Sequence, residues 1–134
     1  MASDLRYAVL LKNAKLNAIT TYIGASAKLR IYSGTKPATA DTAISGPMLV
    51  ELVCNATAFA GAAANGVLTA NAITNGTAAG TGTASHYRIF KTDGTTTGID
   101  GTVGLAGSDL NLDNVSINTG QVVSVTSLTY TEAN

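Results

Sequence analysis

The hydrophobic period changes at Gly24, and this change constrains the fold more than any other feature of the sequence. Apolar residues recur at helical spacing before Gly24 and alternate with polar residues after it, as in a half-buried strand. Leu29 and Ile31 share one face of the first alternating run, and Arg30 and Tyr32 share the other. Further short runs rich in Val, Ile, Thr and Tyr, separated by Gly, Asn or Asp, cover residues 47–55, 66–74, 84–91, 108–114 and 121–131. Seven or eight strands with close turns predict a mainly β protein.

The length and the order of these strands predict one domain over residues 1–134. No helix separates successive strands to carry a parallel crossover, so the strands should pair antiparallel. We therefore expect an antiparallel β-sandwich, either immunoglobulin-like or jelly-roll-like. In the last run the apolar residues change from one face of the strand to the other between Val125 and Leu128. This change predicts a β-bulge near Thr126 or Ser127.

The segment before Gly24 predicts one N-terminal amphipathic helix over about residues 3–23. Ser3 is suited to cap the first backbone N–H groups, Asp4 would lie at the positive end of the helix dipole, and Gly24 is suited to end the helix. The apolar stripe is formed by Leu5, Val9, Leu16, Ile19 and Ile23, and it is widened by Leu11, Ala14 and Ala18. The helix could pack on the sheet of its own subunit, or it could dock on another subunit.

Charge and cysteine content exclude several classes of function. Only 12% of the residues are charged, with eight basic and eight acidic side chains, and the basic ones form no stripe that would bind nucleic acid. No segment approaches the roughly 20 apolar residues that span a bilayer, so we expect no membrane partner. Cys54 is the only cysteine, which excludes an intramolecular disulfide and a thiolate zinc cluster.

His86, the only histidine, is interpreted as a packing or interface residue. No G-x-S-x-G pattern offers a nucleophile beside it, and one His with one Cys does not supply a zinc site. Asp109, Asn111 and Asp113 have the spacing that begins a calcium loop, but the glycine and the glutamate of that motif are missing. The glycine-rich residues 76–85 lack the Lys-Ser/Thr ending of a P-loop. We therefore expect no enzyme activity, no metal and no cofactor.

The stretches "KLRIYSGTKPATADTAISGPMLVEL", "ATAFAGAAANGVLTANAIT", "GTASHYRIFKTDGTTTGIDGTVG" and "SDLNLDNVSINTGQVVSVTSLTYT" follow the predicted helix in that order. In the order and the residues of these stretches, the chain resembles a family of small virion proteins of tailed bacteriophages over nearly its whole length. The resemblance implies a capsid decoration, or cement, protein that binds the outside of the phage head after synthesis in the host cytoplasm. It implies the major capsid protein and neighbouring copies of the chain as partners, often in trimers.

Under this resemblance, the first candidates for contacts are the predicted helix and the long loop "SGTKPATADTAISGP" at residues 33–47. Loops of this length in a compact domain are usually functional. By residue type and position, the candidate interface residues are Arg6, Tyr7, Arg30, Tyr32, Lys36, Pro37 and Asp41. A neck, tail or fibre-associated virion protein is the alternative, and a module that binds surface glycans is a further one.

Overall fold

The computed structural model describes residues 6–59 and 65–131, and within these ranges it contains one helix and eleven strands. The helix is α1 (Val9–Ile23). The strands are β1 (Lys28–Tyr32), β2 (Met48–Val53), β3 (Val67–Thr69), β4 (Gly76–Thr77), β5 (Gly82–Thr83), β6 (His86–Phe90), β7 (Thr97–Gly104), β8 (Leu110–Leu112), β9 (Ser116–Ile117), β10 (Val122–Val123) and β11 (Val125–Thr131). The prediction of a mainly β protein with one N-terminal helix is confirmed.

Seven strands form the main sheet in the order β2-β1-β6-β7-β8-β11-β3, and two short ribbons pair β10 with β4 and β5 with β9. The sheet curls toward closure, because the chain around β4 runs beside edge strand β2. The amides of Ala79 and Gly80 donate to the Leu49 carbonyl at 2.8 and 3.1 Å, and the Thr74 amide donates to Val53. Since β4 also pairs with β10, which leads into β11, the fold is sandwich-like. Its immunoglobulin-like or jelly-roll-like class stays a prediction.

The alternation along β1 and β6 separates a core face from an outer face. Leu29, Ile31, Tyr87 and Ile89 point into the core and are fully buried. The core also contains Leu49, Leu52, Phe59, Leu68, Leu110, Leu112, Ile117, Val123 and Leu128. Because the period of a strand is two, the residues between these core positions lie together on the outer face.

The longest strand, β7, was not predicted, because its glycines suggested turns. Gly101 pairs with Tyr87 of β6, and a Cβ at position 101 would lie 2.8 Å from the Tyr87 ring. The glycine therefore makes space for a buried aromatic side chain. The Tyr87 hydroxyl is 2.6 Å from that of Tyr130 on β11, which links the two strands through the core.

The pairing of the strands is antiparallel except between β7 and β8, where Val103 and Gly104 pair in parallel with Leu110 and Asn111. A parallel pair usually needs a long crossover. Here only two residues of each strand pair, and the Asp109 carboxylate accepts from the Thr102 amide at 3.0 Å, which holds the short connection. The predicted bulge in the last strand is confirmed, since the register of β11 against β8 shifts between Val125 and Ser127.

The helix begins later than predicted. Residues 6–8 are not helical, and Ala8 stands at the N-cap in an extended conformation without a side-chain cap. The proposed cap residues Ser3 and Asp4, and Leu5 of the stripe, lie outside the described residues. The position of α1 is set instead by packing, since Leu16 and Ile23 are buried against the sheet.

The end of α1 agrees with the prediction, since Gly24 has a φ of 76° and its amide donates to the Thr20 carbonyl at 3.1 Å. The predicted amphipathic pattern is wrong in one respect, because apolar residues lie on both sides of the helix. Four residues that were assigned to the stripe are exposed, namely Val9, Leu11, Ala14 and Ala18, and so is Leu10.

Candidate functional site

The outer face of the sheet carries a row of four charged side chains across four adjacent strands. Glu51 of β2 is in register with Arg30 of β1, Arg30 with Arg88 of β6, and Arg88 with Asp100 of β7. We call these four residues the charged row. Like charges directly opposite each other on neighbouring strands are destabilising unless other groups compensate them. Here each arginine binds the carboxylate on its far side, with Arg30 Nε 2.7 Å from Glu51 Oε2 and Arg88 Nη2 3.1 Å from Asp100 Oδ2.

The two arginines differ in burial, because the 33–47 loop covers only one of them. The Arg30 side chain is 25% exposed, whereas that of Arg88 is 2% exposed. Arg88 donates from Nη1 to the Thr42 carbonyl at 2.8 Å and from Nη2 to the Thr39 carbonyl at 3.2 Å. A planar guanidinium can make such contacts and still bind a carboxylate. Arg88 therefore fastens the middle of the loop to the sheet.

Lys36 adds a contact from the loop itself. Its Nζ lies 3.7 Å from Asp100 Oδ1, so Asp100 contacts one cation from the sheet and one from the loop. The Asp100 side chain is 10% exposed and that of Lys36 is 36% exposed. The ion pair is thus partly shielded from solvent, and it is stronger than a pair on the open surface.

The two ends of the loop meet beside β6. The Ser33 amide donates to the Pro47 carbonyl at 3.2 Å, and a Cβ on Gly46 would collide with the Ser33 carbonyl oxygen. Ser85 Oγ lies 2.6 Å from the Gly34 carbonyl oxygen and donates to it. Loops whose ends meet in this way are compact units that often carry function. The predicted long loop is therefore one ordered element on the outer face.

His86 lies under this loop and is fully buried, in agreement with its interpretation as a packing residue. Its ring stacks on Tyr32 with 5.5 Å between the ring centres, and its Nδ1 lies 2.9 Å from Ser85 Oγ. Ser85 Oγ has two carbonyl oxygens within reach, those of Gly34 at 2.6 Å and Tyr32 at 3.3 Å, so its one hydrogen goes to a carbonyl. We therefore assign the Nδ1 hydrogen of His86 as the donor to Ser85. Nε2 has no hydrogen-bond partner among the described residues. Burial and the nearby Arg88 guanidinium lower the pKa of His86 below its usual value.

The candidate interface residues fall into three places. Tyr32 lies beneath the loop, where it stacks on His86, and Lys36 reaches from the loop to Asp100. Arg30 lies next to them in the charged row. Pro37 and Asp41 lie on the upper part of the loop, where Asp41 is exposed and Pro37 is half-buried. Arg6 and Tyr7 immediately precede α1, and Lys15 Nζ of α1 lies 4.0 Å from the centre of the Tyr7 ring.

The sequence did not identify Arg88, Asp100 and Glu51 as members of one site. His86 and Arg88 are two residues apart in the predicted strand, so its alternation correctly places Arg88 on the same face as His86. Its partner Asp100 could not be found in the same way, because it lies on β7, the strand that was not predicted. The row depends on cross-strand register, which a single sequence does not contain.

A second surface lies on the side of α1 that points away from the sheet. With a rotation of 100° per residue, this side lies opposite the buried Leu16 and Ile23. We call its five residues, all exposed, the outward face of α1: Leu10, Leu11, Ala14, Ala18 and Thr21. The outward face carries no charged residue, and 82% of Leu10 is exposed. A helix in contact with solvent normally has charged and polar residues on this side.

No family model matches the chain, and no curated protein or solved structure is significantly similar to it. Over residues 6–59 and 65–131, no pocket is present and no group of three or more His, Cys, Asp or Glu side chains is placed to hold a metal ion. In the same residues, no helix has the length and hydrophobicity needed to span a bilayer.

Proposed function

We propose that this chain is a non-enzymatic virion structural protein, a decoration or cement protein that binds the outer surface of a phage head and stabilises it. The observation that carries the proposal is the outward face of α1. Uncharged apolar side chains on an exposed helix are typical of a surface that another protein covers. The resemblance of the sequence to small phage virion proteins supports a capsid as the place of assembly.

The outward face of α1 contacts a neighbouring copy of the chain under this proposal. A face without charge leaves no unpaired charge buried when it meets its own copy, so it is complementary to itself. Ala14 and Ala18 lie in its middle, where small side chains let two helices approach closely. Trimers or other small oligomers on the shell would use this contact.

The 33–47 loop contacts the major capsid protein. It exposes Lys36 and Asp41, one cation and one anion, on either side of Pro37. Because Arg88 holds the middle of the loop on the sheet, the loop loses little conformational freedom when it binds. A preorganised loop is suited to a shallow contact on a shell that is itself rigid.

Each contact is small, which fits a protein that acts in many copies. The 15 residues of α1 give a helix about 22 Å long, and a stripe about 10 Å wide on one side has an area of about 220 Å². Stable interfaces bury about 800 Å² on each partner. The helix contact is therefore weak in solution, and it becomes effective when the shell holds neighbouring copies at high local concentration.

Quantitative mass spectrometry of purified particles tests the proposal directly. The measured quantity is the copy number of this chain relative to the major capsid protein. A copy number comparable to that of the capsid protein is expected for a decoration protein. A single ring of copies would move the chain to the neck or tail of the virion, and its absence from particles would overturn the structural role.

A further inference from the structure

We propose that the 33–47 loop is a pH-sensitive latch, closed while His86 is neutral and released when His86 gains a proton. The inference does not depend on the proposed function, because it rests on contacts within one chain. It concerns the loop as a moving element and the face of the sheet that the loop covers.

The hydrogen bonds of His86 explain why the closed loop requires the neutral ring. The Nδ1 hydrogen goes to Ser85 Oγ, and the Ser85 hydrogen goes to the Gly34 carbonyl of the loop. This chain of donors leaves Nε2 as a bare nitrogen in a fully buried ring. A second proton would have to sit on Nε2, where no acceptor is present among the described residues. A buried charged donor without an acceptor is strongly unfavourable.

The charged groups around His86 oppose the second proton as well. Arg88 approaches from the same strand, Lys36 from the loop and Asp100 from β7. On β1, the ring that stacks on His86 is Tyr32, whose phenol is neutral because burial raises its pKa. Asp100 is already shared between Arg88 and Lys36. A protonated His86 would therefore be a third cation beside one carboxylate.

Opening of the loop removes this conflict at little cost to the rest of the fold. The contacts that would break are the bonds from Arg88 to the loop carbonyls, the Lys36–Asp100 ion pair and the Ser85–Gly34 bond. They all lie on the outer face, whereas the core-facing residues of β6, Tyr87 and Ile89, stay packed in the core. A local opening of this kind needs less free energy than global unfolding. Water then reaches Nε2 and solvates the charged ring.

The direction of the pH dependence follows from the lowered pKa of His86 in the closed state. In the open state the ring is solvated and has its ordinary pKa of about 6.5. The closed state binds the proton less well, so it is fully favoured above pH 6.5 and loses stability as the pH falls below that value. Between the two pKa values, the opening equilibrium constant rises up to about tenfold per pH unit. His86 is the only histidine, so no other imidazole contributes in this range.

Amide hydrogen exchange measured by NMR tests the latch in the intact chain. The reporters are the Ser33 and Thr42 amides, whose bonds to the Pro47 and Thr39 carbonyls hold the closed shape of the loop and break when the loop opens. The reference is the Cys54 amide, which donates to Ala27 beside the sheet. After correction for intrinsic exchange, we expect the protection of both loop amides to fall steadily between pH 7.5 and pH 5.0, by no more than about tenfold per pH unit. The Cys54 amide should be more strongly protected than both loop amides at every pH, because it exchanges only when a larger part of the fold opens.

The variant His86→Asn separates the latch from other acid effects. Its side-chain amide can replace Nδ1 as the donor to Ser85, but it does not titrate. Loop protection in this variant should not depend on pH in the same range. The same fall in loop protection in His86→Asn would overturn the proposal. Protection of the loop amides equal to that of Cys54 at every pH would also overturn it, because the loop would then open only by global unfolding.

A second measurement keeps the proposal testable if His86→Asn does not fold. The ring resonances of His86 and the amide shifts of the loop are followed together in the unmodified chain from pH 7.5 to pH 4.5. Coincident midpoints are expected if protonation and opening are one event. A titration of the ring that leaves the loop amides unchanged would overturn the latch.

Discussion

Removal of the Arg88 side chain should destabilise the protein far more than removal of Arg30, although the two side chains face each other in one row. Breaking a buried ion pair by removing one partner costs about 3 to 5 kcal/mol. We expect the lower end, about 3 kcal/mol, for Arg88→Ala. Lys36 still neutralises Asp100 in this variant, and water can reach the loop carbonyls of Thr39 and Thr42. This loss is a large part of the stability of an ordinary domain, about 5 to 15 kcal/mol.

Arg30→Ala is the matched control. Arg30 carries the same charge on the same face, pairs with one carboxylate and donates to the Gly94 carbonyl at 3.1 Å. Its side chain is 25% exposed, so solvent screens the pair, and we expect a loss of about 1 kcal/mol. The difference between the two variants should therefore be about 2 kcal/mol.

Urea denaturation followed by circular dichroism measures the free energy of unfolding of both variants, and urea does not screen ion pairs as guanidinium chloride does. Arg88→Lys adds a further control, since it keeps the charge but does not provide the planar fork that reaches both carbonyls and the carboxylate. Its stability should lie between those of the unmodified chain and Arg88→Ala. An equal loss in Arg88→Ala and Arg30→Ala would refute the assignment of Arg88 as the residue that fastens the loop.

Three further predictions concern other parts of the molecule. Gly101→Ala should lower the free energy of unfolding by about 1 to 3 kcal/mol in the same urea assay, because the new methyl group would meet the Tyr87 ring. Burial raises the pKa of the Cys54 thiol to about 11, so thiol labelling at pH 8 should be at least about tenfold slower in the native protein than in urea. In sedimentation velocity at high protein concentration, the unmodified chain should show weak self-association, which Leu10→Glu should abolish and Leu105→Glu, also at an exposed leucine, should not. Equal sedimentation of these two variants would contradict a role for α1 in self-association.

The elements that could be predicted from the sequence are those in which local pattern and packing agree. β1 and β6 alternate between core-facing and outward side chains, and both lie within the runs that predicted them. The bulge in β11 could be predicted because the apolar positions of the strand shift by one residue part-way along it. Only one extra residue in the strand keeps all of these positions on the core face. β7 could not be predicted, because the reason for Gly101 is the ring of Tyr87 on the neighbouring strand. The start of α1 was wrong because a cap residue shows where a helix could begin, while tertiary packing decides where it does.

The charged row also changes what the low charge of the chain means. Four of its eight basic side chains, Lys28, Arg30, Lys36 and Arg88, lie within 4 Å of two carboxylates, those of Glu51 and Asp100.

These contacts organise the outer face and fasten the 33–47 loop, so fewer charges remain for the rest of the surface than the composition suggests. α1 is the clearest case, because its outward face has none. Weak long-range repulsion between copies is expected for a surface with few free charges, and this supports the proposed contact between copies. The ion pairs on the outer face of the sheet and the uncharged outward face of α1 both follow from where the few charged residues lie in the sequence.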